Sequence, residues 1–122
     1  MSKIPTISES EWKIMRVLWK KAPQPAYDII QALAKERWHP NTIKTMLCRL
    51  HRKKAVSFTK YKNLHLYEPQ VSEEQCLQAA SESFLSRFYG GSARPLLVHF
   101  AKNHKLTQAD VAELKRILDE EE

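Results

Sequence analysis

The chain has 122 residues, 43% of them hydrophobic and 28% charged, with a formal net charge of +6; this balance excludes a disordered polyelectrolyte and leaves one small domain or two very small ones. Only two residues are glycine, so few turns need positive φ, which argues against an all-β sandwich and for a helical fold. The charge is uneven: residues 1–70 carry 14 Lys and Arg against 5 acids, and residues 71–122 carry 6 against 9, so the front part seeks a polyanion and the rear part does not.

Ser8-Glu9-Ser10-Glu11 reads as a capping box opening the first helix. Trp12, Met15 and Trp19 form an apolar line that Ile14, Val17 and Leu18 widen, with the tryptophans read as core anchors. Lys20 and Lys21 favour its C-terminal dipole, and Pro23 stops it. Pro25 is expected to start a second helix running to about Glu36, with Ala26, Ile29, Ile30 and Leu33 as its stripe and Gln24 as a mediocre N-cap. Trp38 covers the join to a third helix over residues 39–54. There Pro40 suits the first position, and Ile43, Met46, Leu47 and Leu50 follow the i, i+3, i+4, i+7 spacing of a core-facing stripe. Two helices, a turn and a third helix make a helix-turn-helix.

After Lys54 the period changes to two. Val56, Phe58 and Lys60 alternate with Ser57, Thr59 and Tyr61; Lys62-Asn63 is a turn; Leu64, Leu66 and Glu68 alternate with His65 and Tyr67 up to Pro69. This hairpin is the wing of a winged helix. A second capping box, Ser72 to Gln75, opens a helix to about Phe88, whose expected inner surface is Leu77, Ala80, Ser81, Phe84, Leu85 and Phe88; Gly90 and Gly91 end it. Ser92 caps a short helix with Leu96, Leu97 and Phe100, and Asn103-His104-Lys105 is a break. Thr107 and Asp110 cap the last helix, with Val111, Leu114 and Leu118 as its stripe. The fold class is therefore mainly α with a small β-hairpin: a winged helix-turn-helix domain over 1–70 and a helical dimerisation region over 71–122. So small a rear unit rarely buries enough apolar surface alone, and it has to pack on the front half, another protein or a second copy.

The third helix carries the functional signal. Asn41, Thr45, Cys48 and Arg52 lie opposite its apolar stripe, with Lys44 and Arg49 on the flanks, and the helix contains no acid. A solvated face normally mixes signs, because i, i+4 pairs support it; amides, hydroxyls and cations alone offer donors to phosphate and base edges. Asn41, Thr42, Lys44, Thr45 and Arg49 are the candidate base and phosphate contacts, Arg52 a backbone contact at the far end, and Lys60 and Lys62 phosphate contacts from the wing. No apolar run approaches ~18 residues, and Met1–Ile7 lacks a signal-peptide core, so the anion is double-stranded DNA rather than a membrane and the expected location is cytoplasmic. Cys48 and Cys76 fit no CxxC pattern and read as free thiols. Cys48 sits among Lys44, Arg49 and Arg52, where cations favour a thiolate, so its oxidation is a candidate redox release.

Glu11-Trp12-Lys13-Ile14-Met15-Arg16-Val17-Leu18-Trp19, then Pro40-Asn41-Thr42-Ile43-Lys44-Thr45-Met46-Leu47-Cys48-Arg49-Leu50, then Tyr89-Gly90-Gly91, in that order, resemble the penicillinase-repressor (BlaI/MecI) family of winged-helix transcriptional repressors from about Ile7 to Leu118. The resemblance implies a homodimer on a palindromic operator, joined through the C-terminal helices. It also implies release by a sensor protease that cuts between Asn and Phe in the C-terminal domain. The matching bond here is His99–Phe100, with His in place of Asn. Copper-responsive relatives carry C-terminal CxC pairs, and this chain has no cysteine after Cys76. Ala55 stands where relatives usually place Gly.

Competing readings are a winged helix that binds protein and an enzyme. The first requires mixed charge on the third helix. The second finds no nucleophile–base pair among His39, His51, His65, His99 and His104, and no Gly-rich phosphate loop. His99 and His104 fall on different helix faces, which argues against a zinc pair. No cofactor or metal is expected.

Overall fold

The computed structural model describes residues 4–120. Its elements are α1 (Glu9–Lys20), β1 (Gln24–Pro25), α2 (Ala26–Ala32), a short 3₁₀ turn (Ala34–Glu36), α3 (Pro40–Arg52), β2 (Val56–Tyr61), β3 (Leu64–Pro69), α4 (Glu73–Tyr89), α5 (Arg94–Lys102) and α6 (Gln108–Glu120). They fall into two compact units, one ending at Ala80 and the other starting at Ser81. That division lies within α4, beyond the sequence-based boundary at 70/71. The start of α4 belongs to the front unit: Cys76 is buried there, and just ahead of the helix the Val71 carbonyl accepts from the Trp19 indole Nε1 at 2.9 Å.

The front unit is a helix-turn-helix followed by a wing. Its core joins Ile14, Met15 and Leu18 of α1 to Ile29 and Leu33, to Ile43, Met46, Leu47 and Leu50 of α3, and to Ala55 and Val56. The α3 stripe is buried as its spacing predicts. In α1 the buried line is Glu11, Ile14, Met15 and Leu18. Trp12 and Trp19 are half-buried beside it, edge to face at 5.5 Å, so they flank the core rather than anchor it.

The α1–α2 junction differs from expectation. Gln24 and Pro25 pair with Tyr67 and Leu66 of β3, giving a three-stranded antiparallel sheet in the order β1-β3-β2. Pro25 is the N-cap of α2, and the helix ends at Ala32 before the 3₁₀ turn. Gln24 does not cap α2. Its buried amide donates to the Val17 and Lys21 carbonyls and so closes the C-terminus of α1. That removes orphan carbonyls which the helix cannot satisfy itself.

The wing itself has the predicted register, with Tyr61 opposite Leu64 across Lys62-Asn63. Both turn residues have positive φ (48° and 67°), the geometry of a type I′ hairpin turn. Beyond the C-cap Lys53 of α3, Lys54 has φ 67°, with the Ala55 N–H donating to the Leu50 carbonyl and the Lys54 N–H to the His51 carbonyl. This is a Schellman motif whose left-handed residue is Lys54. Ala55 is buried and does not need the conformational freedom of glycine.

The rear unit, from Ser81, forms the expected helices. Gly90 (φ 61°) and Gly91 (φ 87°) end α4 in the left-handed region, and Thr107 and Asp110 cap α6 reciprocally. The Ser92 hydroxyl accepts from the Arg94 N–H at the start of α5. Its packing is thin. Along α4 the residue buried is Cys76, whereas Leu77, Ala80, Ser81, Phe84 and Phe88 are exposed and Leu85 is half-buried, so the expected inner surface is not covered in the monomer. α5 and α6 bury no residue fully, and Leu97, Val98, Phe100, Val111, Ile117 and Leu118 stay exposed.

Candidate nucleic-acid interface

His39 starts the interface. Its backbone is extended, its ring Nδ1 accepts from the Asn41 N–H at 3.0 Å, and Pro40 follows at the first helical position. A cap on the side chain of a residue outside the polar set leaves Asn41, Thr42 and Thr45 free to face outward, and all three are exposed. Lys44, Cys48, Arg49 and Arg52 are exposed as well. The first turn of α3 has no acid, so nothing on the helix itself opposes an anion near the positive end of its dipole.

The predicted residues gather in two places. Asn41, Thr42, Thr45 and Arg49 line a cleft of about 520 Å³ together with Ser8, Ser10 and Met46. Cys48 and Arg52 line a second cleft, of about 400 Å³, between α3 and the wing, with Leu47, His51, Phe58, His65 and Tyr67. Phe58 stacks on His65 at 4.1 Å and meets His51 at 4.8 Å, which ties the wing to the recognition helix through rings. Burial first, and the Cys48 sulfur second, push the Tyr67 phenol above its ordinary range. Burial likewise pushes the Cys76 thiol up, so that cysteine is an inert core residue. Lys44 lines neither cleft, nor do Lys60 and Lys62 of the wing. Both wing lysines are exposed, and the Lys62 ammonium lies 5.3 Å over the Tyr61 ring.

Sequence reasoning missed Ser8 and Ser10, which line the first cleft, His51 of α3 and His65 of the wing, which line the second, and the cap that His39 makes. It also missed the ion pair between Lys53 and the buried Glu11. The His39 cap had a signal, its place directly before Pro40. His99 and Phe100 sit on the rear unit, exposed within α5, so the bond between them has helical backbone. No helix among the described residues is long and apolar enough to cross a membrane, and among them no cluster of His, Cys, Asp and Glu has the makings of a metal site.

A three-helix core, a short sheet with a cationic hairpin and an acid-free exposed helix define a winged-helix DNA-binding protein. A profile of the penicillinase repressor family matches residues 7–120. The chain is 37% identical to the penicillinase repressor of Bacillus licheniformis, over 98% of this chain and 94% of that one. It is 30% identical to the methicillin resistance regulatory protein MecI of Staphylococcus aureus strain N315, over 93% of each. The solution structure of the monomeric form of Bacillus licheniformis BlaI in complex with the blaP half-operator superposes with a TM-score of 0.53 at 38% identity, covering 62% of this chain and 93% of that one. The chain belongs to the penicillinase repressor family and is a DNA-binding transcriptional repressor.

Proposed function

We propose that the chain represses transcription as a homodimer on a palindromic operator in the cytoplasm, and that it performs no catalysis. α3 enters the major groove, where Asn41, Thr42, Lys44, Thr45 and Arg49 meet bases and phosphates; Arg52 holds the backbone at its far end, and Lys60 and Lys62 do so from the wing. The observation that carries this is the helix itself: four stripe residues buried and every polar or cationic residue opposite them exposed. The structure of Bacillus licheniformis BlaI in complex with the blaP half-operator, 38% identical to this chain over 62% of its length, supports the placement.

Residues 71–122 are the dimerisation region in this reading. Its support is the exposure of the apolar side chains Phe84, Phe88, Ile117 and Leu118, the kind of surface that marks an interaction site when it is contiguous. A twofold dimer presents two recognition helices about 34–36 Å apart, one DNA turn. A sensor protease acting at His99–Phe100 is the release step that the resemblance implies. Because that bond lies in α5, cleavage requires local unfolding of the helix. The alternative release is oxidation of Cys48, favoured by its exposed place on α3 beside Arg52.

Selection of duplexes from a random library, with footprinting upstream of the chain's own gene, tests the DNA reading. The expected product is a palindrome protected on two half-sites. A set of selected duplexes with no shared sequence refutes sequence-specific repression, and a monomer in sedimentation at micromolar concentration refutes the dimer.

A further inference from the structure

We infer that Glu11 is a positioning residue for operator recognition, acting through Lys53 to set how α3 seats in the groove; this rests on the repressor reading above. Neither side chain needs to touch DNA for this role. Glu11 is 3% exposed although it carries a carboxylate in the first turn of α1. One oxygen, Oε1, accepts from the Ser8 N–H at 2.8 Å and from the Lys53 Nζ at 2.6 Å. The same ammonium donates to the Thr6 carbonyl at 2.9 Å. The segment before α1, the first turn of α1 and the C-cap residue of α3 therefore meet at one buried oxygen.

This junction controls a lever. α3 has 13 residues, so it is about 20 Å long at 1.5 Å per residue. The core stripe fixes which side faces inward, but a helix held only by a narrow apolar stripe can still tilt about it. The Lys53–Glu11 pair holds one end of that lever. Base readout needs donors placed within about 0.5 Å of the productive geometry, whereas attraction to phosphate is long-ranged and tolerant. Losing the junction should therefore cost discrimination and spare non-specific attraction. Burial alone would raise the Glu11 carboxyl; the Lys53 ammonium and the Ser8 N–H and hydroxyl together outweigh it, so the group is held below its ordinary value and is ionised at neutral pH. The rival account makes Lys53 a phosphate contact that Glu11 masks, and it predicts the opposite response.

The full-length chain is titrated against a duplex that the parent protein selects from a random library and against a scrambled duplex of equal length, each at several salt concentrations. Glu11→Gln is expected to lose about tenfold in affinity for the selected duplex, the worth of one base contact, with scrambled-duplex affinity and salt slope unchanged. Lys53→Met does the same, the double variant is no worse than either, and Lys53→Arg recovers most of the loss. Leu33→Ala, a core change in α2, lowers the melting temperature without moving the selected-to-scrambled ratio while the protein is folded. Should Glu11→Gln fail to fold, Lys53→Met carries the test, because it leaves the Ser8–Glu11 capping box intact. The inference is overturned if Glu11→Gln binds both duplexes more tightly with a slope steeper by about 0.9, or if the ratio is unchanged. A parent protein that selects no duplex removes the repressor reading as well; a parent that selects one while the variants match it removes this inference alone.

Discussion

Replacing Lys53 with Met keeps an aliphatic stem and removes the ammonium that neutralises a buried carboxylate. Breaking a buried ion pair from one side costs about 3–5 kcal/mol. Here the lysine side chain is 35% exposed and that of Glu11 3%, and the carboxylate keeps its bond from the Ser8 N–H. Water and Ser8 therefore take up part of the loss, and about 1.5–3 kcal/mol remains, the range for one hydrogen bond to a charged group. For a unit of this size each kcal/mol moves the midpoint by about 4–8 °C, so the variant should melt roughly 6–24 °C lower near neutral pH. The pH dependence makes the reasoning specific. In the parent, the folded-state value of Glu11 lies below the unfolded one; its contribution is complete above about pH 4.3 and is lost as pH falls through the lower, folded value. In the variant, burial is no longer opposed by the ammonium, so the folded value rises and protonation relieves the cost. The gap between parent and variant is therefore widest near pH 7 and narrows towards about pH 4. Thermal melts of both proteins by circular dichroism at a series of pH values measure it. A gap of constant size across that range refutes the assignment of the cost to an unpaired carboxylate.

Arg49→Ala should weaken binding to a selected duplex by about 1–3 kcal/mol and relax preference at one position if Arg49 reads a base, or shift all sequences equally with a shallower salt slope if it holds phosphate; equal binding to every duplex at every salt concentration counts against either role. Replacing Lys60 and Lys62 together with Gln should reduce the log–log salt slope by about 0.9 for each phosphate contact removed, measured by fluorescence anisotropy, and an unchanged slope places the wing tip off the DNA. Peroxide should release the parent from DNA but not Cys48→Ser, because oxidation places a polar, charged group among the residues facing the groove. Equal loss from both proteins eliminates the redox reading.

What was legible in the sequence is what one segment can declare alone. The capping boxes at Ser8–Glu11, Ser72–Gln75 and Thr107–Asp110 close over three residues, and the α3 stripe and its acid-free opposite face are properties of a single helix. The hairpin turn was legible because Asn63 and its neighbour sit between two alternating runs. Misread features depend on distant partners. Gln24 looks like a poor N-cap until its amide is seen closing α1 and its backbone pairing with Tyr67. Trp12 and Trp19 look like core because they are large, yet Trp19 needs a hydrogen-bond acceptor for its indole and finds one at Val71, 52 residues away. An indole that must reach such a partner sits at the edge of a core rather than in its centre. The periodicity of α4 similarly locates its apolar residues without saying what covers them, and Leu77 and Phe88 remain in water in the monomer. The candidate site shows the same limit in its charge. Lys53 and Arg52 are adjacent cations at the end of one helix and are equivalent in any count along the chain, but a carboxylate 42 residues upstream pairs with the Lys53 ammonium, whereas Arg52 lines the cleft between α3 and the wing. The net charge of the segment therefore overstates the number of cations it presents to DNA, and a neutralised lysine at its end fixes the helix that the remaining ones use.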